Sequence, residues 1–175
     1  TSGALQPDIP VDTFLASSYG IGIDGLMYFY KKVDEVIDQE MTQAFLTDTH
    51  WPNLLPKPYM VAGSQKLLNS VGAGFTQGIT ATAPGFFGPQ GRVLRLDLAY
   101  PDLNQRISSF SFKGQKLTNF EMETSALYGL SKALGHEAMT VCAIIANRER
   151  KELKKELQST TSDLEKLTYQ TTRKR

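Results

Sequence analysis

In 175 residues the chain has one cysteine, two histidines, one tryptophan and almost no net charge. The single thiol, Cys142, excludes an internal disulfide. It lies in the apolar run Thr140–Ala146, where a cysteine reads as a small buried hydrophobe rather than a nucleophile, and a reducing cytoplasm is the setting expected. His50 and His136 have no acidic or thiol partner at ligand spacing, so no metal is expected. With 19 Lys and Arg against 18 Asp and Glu, a net charge of +1 sets up no field for nucleic acid or for an anionic membrane surface. Apolar runs such as Met139–Ala146 fall far short of a bilayer span, and no basic-then-apolar leader opens the chain, so nothing suggests secretion. There is no Walker-type phosphate loop. Gly85-x-x-Gly88-x-x-Gly91 has the wrong spacing for a dinucleotide fingerprint, and no apolar helix follows it.

What is present alternates between strand-like and helix-like segments. Val11–Ser18 reads as a strand, Ile21–Gly25 as a turn into the apolar run Leu26–Tyr30, and Asp34–Leu46 as a helix opened by acids. A proline-rich linker (Pro52, Pro56, Pro58) leads to a short strand, Tyr59–Ala62, and Ser64 is placed to cap a short helix running to Val71. Phe75–Ala83 is strand-like, Leu94–Leu98 alternates as an edge strand does, and Leu103–Phe110 suits a short helix. Met122–Leu134 carries Met122, Ala126, Leu127, Leu130 and Leu134 on one helical face, with Gly135 as its stop, and Thr140–Ala146 suits a strand buried on both sides. This alternation predicts an α/β fold: a layered sheet with flanking helices, here assigned to residues 1–148. Residues 149–175 change character. They are rich in Lys, Arg and Glu, with Leu153, Leu157, Leu164 and Leu167 at spacings one helical stripe accommodates, so a charged helical tail is expected.

Two segments could carry chemistry. Thr118-Asn-Phe-Glu-Met-Glu-Thr-Ser-Ala126 sets Glu121 and Glu123 around Met122 at the start of a helix. A carboxylate can accept two hydroxyl donors at once, as a sugar diol offers, and charge-assisted bonds are the strong ones; acids in a first helical turn are equally what the helix dipole favours. Gly78–Arg92 is a strand running into a glycine-proline loop that carries Phe86, Phe87, Gln90 and Arg92. Gln90 can both donate and accept and Arg92 only donates, a combination suited to the edge of uracil, with its N3–H between two carbonyls, better than to adenine.

In that order the two segments resemble the nucleoside phosphorylase family, and within it the uridine phosphorylases, over Thr1 to about Arg148. The resemblance implies phosphorolysis of uridine to uracil and ribose 1-phosphate in pyrimidine salvage, with inorganic phosphate as co-substrate and no cofactor. It implies that Glu123 and Met122 hold the ribose, that Phe86, Gln90 and Arg92 hold the base, and that Arg148 helps to order the base pocket. Thr1 and Ser2 would lie beside phosphate. It further implies a homo-oligomer built from dimers. Members of the family extend further on the N-terminal side, so the chain is expected to begin within that fold, without its leading strands, and to be impaired in phosphorolysis. A nucleoside-binding protein without turnover and an assembly module with a vestigial pocket are the alternatives from other classes.

Overall fold

A computed structural model describes residues 1–153. The chain runs β1 (Ser2–Ala4), β2 (Phe14–Gly22), α1 (Gln39–Asp48), β3 (Tyr59–Ala62), α2 (Gln65–Ser70), β4 (Thr76–Thr82), α3 (Leu103–Ser108), β5 (Ser111–Phe112), β6 (Gln115–Glu121), α4 (Thr124–Ala133), β7 (Val141–Asn147) and β8 (Glu152–Leu153). The strands pair in the order β3-β2-β4-β6-β1-β7-β8, with β5 on β6. β7 also pairs antiparallel with the start of β2, Phe14↔Ala143 to Ala16↔Val141, so β2, β4, β6, β1 and β7 close into a ring. Within it β2, β4 and β6 are parallel, and their carboxyl ends stand side by side, with Gly22 opposite Thr82 and Thr82 opposite Glu121. The crevice outside the carboxyl ends of parallel strands is the usual place for a ligand in sheets of this kind.

One face of these strands is apolar. Ile21, Ile79, Ala81, Leu117 and Phe120 pack with Met41 and Phe45 of α1 and with Trp51, Ile107 and Phe110. Against them runs a ladder of buried polar groups. Ser17 Oγ meets Thr80 Oγ1 at 2.6 Å, Thr80 Oγ1 and Thr118 Oγ1 donate to Asn119 Oδ1, and Asn119 Nδ2 donates to Ser2 Oγ. Buried polar groups are tolerated when each finds a partner, and a hydroxyl–amide chain across four strands meets that condition.

Several sequence expectations hold. Ser64 caps α2 by accepting from Leu67 N, and β3, β4, α3 and β7 form where their patterns place them. Gly135, with φ +73, ends the last turn after α4. Others are corrected. The strand expected at Val11–Ser18 begins at Phe14 and runs on through Gly22; the turn comes at Gly25, with φ +72. The helix expected from Asp34 is broken. Val33–Glu35 makes one 3₁₀ turn, and α1 starts only after Asp38, whose backbone N–H donates to Met60 O while its side chain accepts from Met41 N. Leu94–Leu98 forms no strand; Leu94 and Leu96 are exposed and no neighbour offers a ladder. The helix expected from Met122 begins at Thr124, because Gln115–Glu121 is strand β6. Its buried face is Thr124, Ser125, Tyr128 and Gly129, and Leu127 and Leu134 point outward. In the tail, Glu152–Leu153 pair with β7 as a strand, so no helix starts at residue 149; residues 154–175 lie outside the described residues.

Candidate functional site

The loop after β4 folds back on itself. Gly88–Gln90 makes a 3₁₀ turn closed by Gly91 at φ +71, and Arg92 N donates to Phe87 O at 2.9 Å. Gly91 has no alternative: a Cβ there would lie 1.9 Å from Asn104 Nδ2. Asn104, in the first turn of α3, donates to Gln90 O at 2.6 Å and fixes the loop from below. Gln90 is buried, with 4% of its surface exposed, and its side-chain oxygen takes two cations at once. Arg92 Nη1 donates to it at 2.7 Å, and Arg148 Nη2 donates to it as well. Arg148 Nη1 also reaches Gln90 O at 2.6 Å. Because both arginines occupy Gln90 Oε1, the amide nitrogen of Gln90 is the atom left to face a ligand.

Two guanidinium groups on one oxygen form a strongly electropositive cluster. Burial, and then the charge of Arg92, pull the Arg148 pKa down to about 10; burial alone lowers that of Arg92. The Nε of Arg148 is buried with no hydrogen-bond partner among the described residues, and it faces Gly3, where an added Cβ would sit 3.5 Å away. The cluster therefore favours a ligand that brings acceptors or negative charge. Arg92 lies over the Phe86 ring at 3.7 Å, so one face of that ring already carries a cation; Phe87 stands edge-on to it, and Phe86 is half-exposed. Beside Arg92 lies an apolar chamber of about 890 Å³, walled by Trp51, Leu55, Phe87, Leu96 and Tyr100. Neither Gln90 nor Glu123 lines it, so it adjoins the arginine cluster without reaching the turn after β6.

The end of β6 lies beside the end of β4. Ala83 N donates to Glu121 O at 2.9 Å, which ties the start of the Phe86–Arg92 loop to the Glu121–Glu123 turn. Met122 and Glu123 are exposed; the Glu123 carboxylate accepts only a long bond, from Met122 N at 3.3 Å. Ser2 lies in the sheet, with its hydroxyl donating to Phe120 O and accepting from Asn119, and Thr1 beside it is exposed. Arg148 spans the two halves, its guanidinium 5.0 Å from the centre of the Phe120 ring. Of the residues singled out in the sequence, Phe86, Gln90, Arg92 and Arg148 lie in contact, Arg148 reaches Phe120 two residues before Met122, and Ser2 is bonded to Phe120 from β1. Among the described residues no group of three or more His, Cys, Asp or Glu could hold a metal ion. Sequence reasoning did not find Asn104, or the partners of Glu121 at Thr82 and Thr124. Nothing in their local pattern separates them from ordinary helix-start and strand residues.

A model of the phosphorylase superfamily matches residues 1–173. The chain belongs to the phosphorylase superfamily. Among curated proteins, a uridine phosphorylase of Thermococcus kodakarensis is 29% identical over 163 residues, covering 89% of this chain and 49% of the relative. This superfamily member thus spans about half the length of the curated relative it matches. Among solved structures, a Trypanosoma brucei nucleoside phosphorylase described as showing uridine phosphorylase activity superposes with a TM-score of 0.83. It is 22% identical, and the match covers 98% of this chain and 61% of that one, a likeness of fold.

Proposed function

We propose that this chain carries the nucleoside site of a uridine phosphorylase, cleaving uridine with inorganic phosphate to uracil and ribose 1-phosphate in pyrimidine salvage in the cytoplasm. The observation that carries the reading is the convergence of Arg92 and Arg148 on the buried side chain of Gln90. A phosphate oxygen attacks C1′, the C1′–N1 bond breaks, and its electron pair leaves with the base. Positive charge develops on the sugar, where Glu123 and the phosphate anion favour it. Negative charge develops on uracil, where Arg92, Arg148 and the Gln90 amide favour it. Groups held in place before the reaction need no reorganisation when charge moves, and that is the source of the rate gain. Met122 packs under the ribose and the free face of Phe86 takes the base. Phosphate lies by Thr1 and Ser2, and because the Ser2 hydroxyl is engaged within the sheet, Thr1 is the freer donor. No cofactor enters this chemistry. A homo-oligomer built from dimers belongs to the same reading.

The test is to incubate the purified chain with uridine, with and without phosphate, and to follow uracil and ribose 1-phosphate. Phosphate-dependent uracil release supports the reading. Uridine binding without turnover in either condition would refute phosphorolysis and leave a nucleoside-binding protein.

A further inference from the structure

The first N–H groups of a helix have no partner within it, and a Ser, Thr, Asp or Asn at the N-cap normally supplies one. At α4 the N-cap position is held by Glu123, whose side chain makes no capping bond. The task falls to Glu121, the last residue of β6, which is buried with 6% of its surface exposed. Its Oε2 accepts from Glu123 N at 2.9 Å, Thr124 N at 2.7 Å and Thr124 Oγ1 at 2.9 Å. Its Oε1 accepts from Thr82 Oγ1 at 2.6 Å, and Thr82 Oγ1 in turn accepts from Ser125 N at 2.9 Å. Three consecutive backbone N–H groups, of residues 123, 124 and 125, are thus held by one carboxylate and the threonine bonded to it.

This arrangement bears on Glu123. A carboxylate at an N-cap is drawn back toward the free N–H groups of its own helix. With the N–H groups of residues 123 and 124 held by Glu121 and that of residue 125 by Thr82, that pull on Glu123 is weakened, and Glu123 stays exposed. Thr82 adds a second constraint, because it ends β4, the strand that leads directly into the Phe86–Arg92 loop. Resting on the function proposed above, we infer that Glu121 is a positioning residue, which by capping α4 from the strand keeps the Glu123 carboxylate off the helix end and aimed at the ribose diol, in fixed register with the base loop. Glu121 itself is turned inward: it is buried, Oε2 takes three donors and Oε1 the hydroxyl of Thr82.

The test is a double-mutant cycle on the full chain with Glu121→Gln, Glu123→Gln and both together, reading the affinity for uridine against 2′-deoxyuridine by calorimetry and kcat/KM for each. Glu123→Gln should lower the uridine preference at least about tenfold, the effect of losing a charge-assisted bond to the 2′-hydroxyl. Glu121→Gln should lower that preference by a similar factor alone and by less than about twofold when Glu123 is already Gln, because it acts through Glu123. Equal losses for both nucleosides, or full additivity, would overturn the inference. Amide hydrogen exchange supplies a readout independent of ligand. Protection at residues 123, 124 and 125 should fall in Glu121→Gln, and at residue 125 first in the near-isosteric Thr82→Val. Unchanged protection in both variants also overturns it. If the unaltered chain binds no nucleoside, the proposed function fails by itself, and the exchange pattern then decides whether Glu121 holds the turn.

Discussion

Replacing Gly20 by alanine tests whether the start of α4 is fixed by the sheet beneath it. A Cβ at position 20 would lie 2.9 Å from Ser125 Cα, 3.1 Å from Ser125 N and 3.3 Å from Thr124 Cγ2. Carbon atoms rest about 3.5–4.0 Å apart, so the first turn of the helix must withdraw by roughly 0.6–1 Å. Two of the three obstructing atoms are backbone, so no rotamer change relieves the contact. Withdrawal lengthens the bonds from Thr124 N to Glu121 and from Ser125 N to Thr82, now 2.7 and 2.9 Å. Overpacking of this kind costs about 1–3 kcal/mol, and the gain of about 0.5–1 kcal/mol from replacing glycine within a strand offsets part of it. At about 2–4 °C per kcal/mol for a chain of this size, the melting temperature should drop by several degrees. Function should suffer more than stability, since a displacement near 1 Å can cost about a hundredfold in rate. Gly74→Ala is the control, because nothing lies within 4 Å of a Cβ there. The assays are calorimetric melting and uridine phosphorolysis for both variants. A Gly20→Ala protein that melts with the unaltered chain and turns over normally would show that α4 slides freely on β2, and the reasoning would fail.

Further outcomes follow from single contacts. Arg92→Ala removes the donor to Gln90 Oε1 and to Phe86 O, and should reduce uracil affinity at least about tenfold while collapsing its preference over hypoxanthine; an unchanged preference would make the loop an ordinary surface turn. Burial, with the charge of Glu121 adding to it, pushes the Cys142 thiol up to about 11. An unfolded cysteine loses its proton near about pH 8.5, so between there and pH 11 the unfolded chain binds fewer protons and stability should fall as pH rises. Denaturant melts of Cys142→Ala should lack this component of the decline, and parallel pH curves for the two proteins would contradict the assignment. Asp38→Ala removes the cap on Met41 N and should destabilise the fold by about 1 kcal/mol; no change in the denaturation midpoint would mean that water caps α1 equally well.

The elements legible in the sequence are those whose buried side chains are mostly apolar. Tyr59–Ala62 and Val141–Asn147 read as strands because their neighbours ask only for hydrophobic side chains, and Ser64 reads as a cap because its bond to Leu67 is local. Strand β6 was hidden because Thr118, Asn119 and Glu121 are polar yet buried, so it shows no alternation of apolar and polar residues. Leu94–Leu98 shows that alternation and finds no strand to pair with. The buried face of α4 was misread for a related reason. The helix sits close to its neighbours through small residues, with a Cβ at Gly129 only 2.4 Å from Met27 Sδ, and Leu127 and Leu134 are left outside. The grouping of Phe86, Gln90, Arg92 and Arg148 was legible by type and order, and these four do lie in contact. The contrast between Glu121 and Glu123 was not, since both are acids two residues apart and only the register of β6 on β4 buries one and exposes the other.

The place of β1 in the ring bears on how a nascent chain completes its sheet. Gly3 pairs with Phe120 on one side and Ala146 on the other, and Arg148 N closes the edge on Ala4 O. β1 therefore precedes its partners by more than a hundred residues. At about 5–20 residues per second β7 is complete roughly 1–5 s after β6, and in that interval β1 can have only one of its two neighbours, which leaves an unpaired ladder. Co-translational folding can assemble β2, β3 and β4 but cannot seat β1, so this interval is when the new chain is most open to pairing with another. Limited proteolysis of ribosome-arrested chains can follow it: cleavage near Thr118 should be prominent before residue 141 is released and suppressed once residue 148 is free to dock, and persistence beyond that point would contradict this order of assembly.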